Sequence, residues 1–426
     1  MPRASAAPPS MTPSASTADP PARVGVVGPG LMGRGIAQAF AASGARVALC
    51  GRDRDAAARG RDALAAGLAR QVARGRLAAD AGADILARIE AADLDAGLRD
   101  CDLVIESVPE NRALKTETLA RIERAAPRAI LASNTSGLAI GGLGEALEDP
   151  SRFLGLHFFS PADRMSLVEV AVGPRTGRRA IERALALARG AGKRPVVVRD
   201  GPGFFATRVF AAYLDEAVVI AAEGAPIDVI DAAAVANGRA LGPLAVLDET
   251  GIALNLSQAR QARADGLEAR FCRSLAEPAF ARLVAAGRRG RRAGGGFYDW
   301  PDEGPPTPWA GLATVFPASG RPALDAGAIA FRLLAAEARE ALRCLEEGVV
   351  ASADDADAAS VLGLGFPKAR GGVVRWAEDF GLGAFVEGLD RLADAYGDRF
   401  APSPWLRALA AGPQGLAGFR GKDVAT

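Results

Sequence analysis

The pattern Gly28-Pro-Gly30-Leu-Met-Gly33 constrains this chain more than any other stretch. It follows the β-branched run Val24-Gly-Val-Val27 and opens a helical pattern that continues through Phe40. After Gly44 comes a second apolar run, Arg46-Val-Ala-Leu-Cys50. Strand, glycine turn, helix and strand of these lengths make a βαβ unit. The first glycine permits the tight turn, the second lets backbone approach a pyrophosphate, and the third lets helix and strand pack closely. The helix N-terminus, with its unpaired N–H groups, faces the phosphate charge. This context favours a dinucleotide site at Gly28, Gly30, Leu31, Met32 and Gly33 over the plainer reading of glycines as mere turns.

Such units place an acid after the second strand to bind the adenosine ribose 2′-hydroxyl. Here the residues after Cys50 are Gly51, Arg52 and Asp53. A small residue followed by arginine suits a ribose 2′-phosphate better than a hydroxyl. In the alternative, Asp53 curls back to do the acid's work, so the residues alone leave NAD and NADP both open.

Downstream, residues 55–98 are rich in Ala and Arg with helical spacing, and Arg70 and Arg74 sit on that stretch. Further strands are expected at Asp102-Leu-Val-Ile-Glu106 and Ala129-Ile-Leu-Ala-Ser133. Each ends in small polar residues, and Glu110, Asn134, Ser136 and His157 all fall after or at the carboxyl ends of strands, where doubly wound sheets bind ligands. His157 is the sole histidine of the 426 residues. Imidazole titrates near neutrality and is the usual proton shuttle. Twelve positions on, Glu169 lies within the apolar run Leu167-Val-Glu-Val170, where a carboxylate is costly without a partner. A buried Glu169 facing His157 is the pairing expected; a satisfied core histidine and a structural ion pair are the plainer readings of the two residues.

Composition removes several function classes. The formal net charge of +1 offers no footprint for nucleic acid, and no apolar run approaches the ~18 residues of a membrane span. Cys50, Cys101, Cys272 and Cys344 are scattered without a Cys-x-x-Cys, which argues against a disulfide framework and against a zinc site, so no metal is expected and a reducing cytoplasm is the simple location. The Pro-, Ala- and Ser-rich residues 1–21 read as a disordered tail, with Met11 as an alternative start.

After Asp200-Gly-Pro-Gly-Phe204 the pattern turns helical, and it repeats. Arg208, Glu216, Glu223-Gly224, Asp228 and Asp231 recur as Arg332, Glu340, Glu347-Gly348, Asp354 and Asp357. The spacing from Arg to the first Glu, and from that Glu to the second, is the same in both copies. This is an internal duplication of a helical domain. The expected division is a dinucleotide-binding domain over 22–200, helical copies over 201–300 and 326–421, and a Pro- and Gly-rich linker over 301–325.

Together, Gly28-Pro-Gly-Leu-Met-Gly33, Asp102-Leu-Val-Ile-Glu106, Ser133-Asn-Thr-Ser136, His157-Phe-Phe-Ser-Pro161, Leu167-Val-Glu169-Val and Asp200-Gly-Pro-Gly-Phe204 resemble the 3-hydroxyacyl-CoA dehydrogenase family. The likeness runs from about residue 23 onward, and the duplicated C-terminal part, with Glu346-Glu-Gly348 and Gly363 to Gly372, looks like the dehydrogenase half of multifunctional fatty-acid β-oxidation enzymes; nothing here resembles their enoyl-CoA hydratase half. It implies an α/β Rossmann-type doubly wound sheet followed by duplicated all-α 3-hydroxyacyl-CoA dehydrogenase C-terminal domains. It also implies oxidation of (S)-3-hydroxyacyl-CoA, with His157 as general base, Glu169 as its orienting carboxylate and Ser136 bonding the reacting oxygen. Glu110, Lys115 and Arg292 would line the nicotinamide side, and Arg70 and Arg74 would lie towards the CoA phosphates. Three positions depart from the family pattern: Gly51 stands where the acid is expected, and Ser160 and Thr207 stand where asparagines would hold the acyl group. NAD is the cofactor implied, with NADP admitted by Gly51-Arg52. A specialised acyl-CoA, such as a dicarboxylic one, a carrier-bound acyl group, or a weakly catalytic dinucleotide binder are the alternatives. Single-copy relatives dimerise through the helical domain, so the duplicated copies are expected to form an internal pseudo-dimer in a monomer, with a homodimer as the alternative.

Overall fold

The computed structural model describes residues 22–316, 324–413, 415, 416 and 419. The tail expected over residues 1–21 lies outside these, as do residues 317–323 of the expected linker.

Eight strands form one sheet: β1 Arg23–Val27, β2 Arg46–Cys50, β3 Ile89–Ala92, β4 Leu103–Glu106, β5 Ile130–Ser133, β6 Phe153–Phe158, β7 Leu167–Val172 and β8 Arg194–Arg199. Their spatial order is β3-β2-β1-β4-β5-β6-β7-β8. Pairing is parallel from β3 across to β6 and again between β7 and β8, whereas β6 and β7 run antiparallel. Strand order reverses between β1 and β4, which opens the crevice where a ligand binds. Strands β4 to β7 are buried along their whole length, as strands covered on both faces should be. The antiparallel step has a direct consequence: position 157, near the end of β6, lies across from position 169, near the start of β7.

One expectation is corrected here. The helical spacing over residues 55–98 is broken into helices Arg54–Ala73 and Ala79–Ala87, then strand β3, then a short helix Leu94–Gly97. Strand Ile89-Glu-Ala-Ala92 has one β-branched residue and two alanines, so its local preference is helical. It is a strand because its backbone pairs with β2.

Beyond β8 the chain is largely helical, and helices Ala206–Ala222 and Ala326–Glu346 carry corresponding parts of the duplicated pattern and pack along each other. Their ion pairs are crossed. Arg208 of the first copy bonds Glu340 and Glu347 of the second, while Arg332 of the second bonds Glu216 and Glu223 of the first. The acidic helix positions also behave alike. Asp231 accepts hydrogen bonds from Leu244 N and Ala245 N, and Asp357 from Val374 N and Arg375 N. In each copy a glycine makes room: a Cβ on Gly242 would come within 2.2 Å of the Asp231 side chain, and one on Gly372 within 2.4 Å of Asp357. The duplicated sequence therefore folds as an internal two-fold arrangement.

The first copy's core, around Tyr213, Leu247, Phe280 and Phe297, also takes in Ile329, Ala330 and Leu333 of the second copy's helix Ala326–Glu346. The second shares a core with the sheet, bringing Val350, Phe366 and Trp376 together with Leu167, Val196 and Val198. Phe204 and Phe205, at the joint between sheet and helices, are buried. Each contributes about 1.5–3 kcal/mol by leaving water, which fixes the helical part against the sheet. Among the described residues no helix is long and apolar enough to cross a membrane, and no group of three or more His, Cys, Asp or Glu side chains is placed to hold a metal ion.

Candidate active site

The glycine turn forms the floor of a cavity of about 990 Å³ at the carboxyl edge of the sheet. Gly28 has φ +114°, a conformation that favours glycine, and a Cβ there would lie 2.4 Å from Ser107 O. A Cβ on Gly33 would lie 1.9 Å from Gly28 O, so Gly33 does not line the cavity but lets the first helix, Leu31–Ala42, press against the turn. Gly30 is different. A Cβ there would meet no protein atom within 4 Å, and Gly30 lines the cavity with Leu31 and Met32. Open space at a helix N-terminus, kept free of side chain, fits the pyrophosphate of a dinucleotide.

At the adenosine end Gly51 and Arg52 line the cavity. A Cβ on Gly51 would lie 2.9 Å from both Ala56 Cβ and Ala57 N, so no acid fits here without moving the following helix. Asp53 does not line the cavity. Its Oδ1 accepts the Ala56 N–H at 2.6 Å as the N-cap of helix Arg54–Ala73, and its Oδ2 accepts Arg52 Nε at 3.2 Å. That cap bond, with the Arg52 guanidinium second, holds its carboxyl below the usual range. The Arg52 side chain remains 82 % exposed.

His157 is 7 % exposed and Glu169 fully buried. His157 Nδ1 lies 2.7 Å from Glu169 Oε2, and Glu169 Oε1 accepts the N–H groups of Ala206 at 2.8 Å and Phe205 at 3.2 Å. The carboxylate is thus shared between the imidazole and the start of helix Ala206–Ala222, with both oxygens satisfied. A carboxylate accepts only, so Nδ1 carries the proton and Nε2 is left as the basic nitrogen. Phe159 packs 4.5 Å from the imidazole, centroid to centroid, and limits water on that side.

Ser136 lines the same cavity. Glu110 Oε1 accepts Thr135 Oγ1 at 2.5 Å and Ser136 N at 3.2 Å, which fixes the serine's backbone. Lys115 does not reach the cavity. It is buried, donating to Glu106 Oε1 at 2.9 Å and to Val108 O at 3.2 Å, with Glu110 Oε2 3.3 Å away. A fully buried Glu106 needs that counter-charge, so Lys115 supports the loop that carries Glu110.

Three further residues hold the site together; Asn134 and Asp200 stood within the sequence patterns above, and Gln258 had no sequence signature. Asn134 Oδ1 accepts the N–H of Phe158 at 2.8 Å, tying the end of β5 to the end of β6. Asp200 accepts Ile140 N and Gly141 N, each at 2.7 Å, tying the segment after β8 to the one that follows Ser136. Burial pushes the Asp200 carboxyl up, against those N–H bonds. Gln258, on helix Ile252–Ala264 of the first helical copy, donates from Nε2 to Ser136 Oγ at 3.2 Å.

A second cavity of about 380 Å³ adjoins the first, sharing Pro109, Glu110, Leu254 and Gln258 with it. Thr207 and Arg208 line the second cavity, while Ser160 lines the first. Arg70, Arg74 and Arg292 are exposed and line neither. Helix Arg54–Ala73 starts at the site and runs away from it, so Arg70 stands about 24 Å along its axis from the first residue at 1.5 Å per residue. Arg292 lies on the turn Arg291–Ala293, where the neighbouring Arg291 pairs with Glu249.

The sequence matches the family model described as 3-hydroxyacyl-CoA dehydrogenase, NAD binding domain, over residues 23–201. It matches the model described as 3-hydroxyacyl-CoA dehydrogenase, C-terminal domain, over residues 203–300 and again over 327–416. The fatty acid oxidation complex subunit alpha of Shewanella sp. (strain MR-4) is 38% identical over 321 residues, covering 74% of this chain and 45% of that protein. The chain thus spans about half the length of the curated relatives it matches. Among solved structures, 3-hydroxybutyryl-CoA dehydrogenase from Escherichia coli K12 superposes with TM-score 0.78 at 28% identity, over 92% of this chain and 98% of that one. The dehydrogenase part of multifunctional enzyme 1 from C. elegans superposes with TM-score 0.63 at 26% identity, over 91% and 89%.

Proposed function

The chain belongs to the 3-hydroxyacyl-CoA dehydrogenase family, and from that premise we propose that it interconverts (S)-3-hydroxyacyl-CoA and 3-oxoacyl-CoA with a nicotinamide dinucleotide. The observation that carries this reading is the His157–Glu169 pair beside Ser136, in the same cavity as the open glycine turn.

Gly28, Gly30, Leu31 and Met32 would hold the dinucleotide's pyrophosphate, with the ribose end at Gly51 and Arg52. A bound nicotinamide supplies the acceptor or donor of the hydride. The remaining chemistry belongs to the chain. His157 Nε2 takes the hydroxyl proton as the alcohol is oxidised and returns it when the ketone is reduced. Glu169 holds the ring in the Nδ1–H tautomer and stabilises the imidazolium that forms. Ser136 Oγ–H donates to the reacting oxygen. The test is turnover of acetoacetyl-CoA with NADH and with NADPH. Tight dinucleotide binding without turnover by either cofactor would sink the enzyme reading and favour a binder.

NAD binding follows from the family; the preference between NAD and NADP is a finer matter. The absence of an acid at 51, the engagement of Asp53 as a helix cap and the exposed Arg52 on the cavity wall support NADP. The acyl group also has a second reading. The adjoining cavity is walled by Arg208, Arg270, Arg273 and Gln261, by Glu110, Asp215 and Asp265, and by apolar residues, and Arg208 Nη2 is buried with no hydrogen-bond partner among the described residues. An unpaired buried donor favours an acyl chain bearing a polar end. The crossed Arg–Glu pairs within one chain support a monomer, and a stable dimer in sedimentation would count against that.

A further inference from the structure

We propose that Gln258 is a positioning residue that sets the direction of the Ser136 hydroxyl, and so makes the first helical copy a working part of the reaction site. The inference rests on the dehydrogenase reading above.

A serine hydroxyl has one hydrogen to give and lone pairs to receive. Ser136 Oγ receives the Gln258 Nε2–H at 3.2 Å, and among the described residues this is its hydrogen-bond partner. The Ser136 backbone cannot swing to compensate, because its N–H is held by Glu110 Oε1 at 3.2 Å. The next two N–H groups are held by Thr135 Oγ1, at 3.3 Å from Gly137 and 3.0 Å from Leu138. What remains free is the rotation of the hydroxyl. With an amide N–H filling one lone pair, the hydrogen points away from Gln258, into the cavity that Ser136 shares with His157. There it is aimed before substrate arrives, and a donor fixed in advance stabilises a developing oxyanion more than one that must reorient.

Gln258 comes from far along the chain, 122 residues from Ser136, and from a different domain. It is half-buried and lines both cavities, so it stands where the reacting carbon's neighbourhood passes into the adjoining cavity. Asp200 and Glu110 fix the Ser136 segment from the sheet side, and Gln258 is the contact that reaches the hydroxyl from the helical side. The site is therefore complete only when the helical copy is docked.

The direction of donation makes the proposal sharp. Gln258→Met removes the donor and leaves the hydroxyl free to turn. Gln258→Glu, as a carboxylate, can only accept, and draws the Ser136 hydrogen away from substrate. Turnover of acetoacetyl-CoA by the full chain should fall about tenfold in kcat for Gln258→Met, and about a hundredfold or more for Gln258→Glu, approaching the loss from removing an oxyanion donor outright. Lowering the pH should bring Gln258→Glu back towards Gln258→Met as its carboxyl is protonated. In a Ser136→Ala background the two variants should agree within about twofold, since there is no hydroxyl left to aim. Equal losses in the two single variants, or losses that persist undiminished on Ser136→Ala, overturn the proposal while leaving the reaction assignment intact. A wild-type chain that does not turn over acetoacetyl-CoA removes both.

Discussion

His157 and Glu169 occupy directly paired positions of two antiparallel strands, with 2.7 Å between Nδ1 and Oε2. Neither residue chooses its own orientation there. The strand register sets their separation, and the Phe205 and Ala206 N–H groups hold the far carboxylate oxygen. Replacing Glu169 by Gln puts an amide in that slot. Its oxygen takes the two backbone N–H bonds and its NH₂ donates to Nδ1, which forces the proton onto Nε2. Glu169→Gln should lower kcat/KM by about 10²–10⁴, the range of a lost general base, with little loss of stability. Steady-state rates beside a thermal melt separate the two effects.

The crossed arginines should be costly to remove. Arg332 is 1 % exposed and bonds Glu216 and Glu223, while Glu216 keeps Arg399 as a second partner, so Arg332→Met should cost about 1.5–3 kcal/mol in urea unfolding, the range for lost hydrogen bonds to charged groups. Arg208→Met should cost a similar amount. Assayed below its unfolding transition, only the Arg208 variant should also lose kcat/KM, because Arg208 lines the acyl-side cavity and Arg332 does not.

Cofactor preference is open to a direct measurement. Arg52→Ala should weaken NADPH relative to NADH by about tenfold, equivalent to ~1.4 kcal/mol of differential binding, in a fluorescence titration. An unchanged ratio would show that Arg52 does not face the ribose.

Acid stability should carry the mark of Asp231. Burial, opposed by the Leu244 and Ala245 N–H groups and the Tyr298 hydroxyl, raises its carboxyl to about 6. The folded state therefore favours the protonated form. Its contribution is fully present below the ordinary aspartate value of 3.8 and is lost as pH rises through about 6. The difference in unfolding free energy between wild type and Asp231→Asn should change by roughly 2–3 kcal/mol between pH 4 and pH 7, at about 1.4 kcal/mol per unit. Comparing the two proteins cancels the carboxylates whose values are lowered.

Cys50, Cys101 and Cys344 should be silent in the native state. Burial pushes the Cys50 thiol up to about 12 and Cys101 to about 11, and Cys344 is raised as well. Thiolate is the reactive form. A maleimide followed by mass spectrometry should label these three only after denaturation.

Much of the site was legible because it is made of short, local patterns. The Gly28–Gly33 turn shows itself through spacing, and His157 and Glu169 stood out as a lone imidazole and a carboxylate in an apolar run. Asp53 illustrates the limit. Sequence offered it as a stand-in acid, and the same residue type two positions after Gly51 is also a good helix cap, which is how the structure uses it. Lys115 was read as a cavity residue, but the need of buried Glu106 for a counter-charge draws it inward. Arg70, Arg74 and Arg292 were placed by likeness alone, and they are exposed and line neither cavity.

By itself the sequence determined what repeats or turns locally: the βαβ unit, the apolar strands, and two helical copies with matching Arg and Glu spacing. These follow from backbone geometry and periodicity, which act over a few residues. Tertiary structure alone decided that each arginine pairs with the other copy's glutamates, that the unpromising Ile89–Ala92 becomes a strand, and that Gln258 meets Ser136. Those contacts join residues far apart in the chain. They form only when burial of the shared core brings the elements together, so no local spacing announces them.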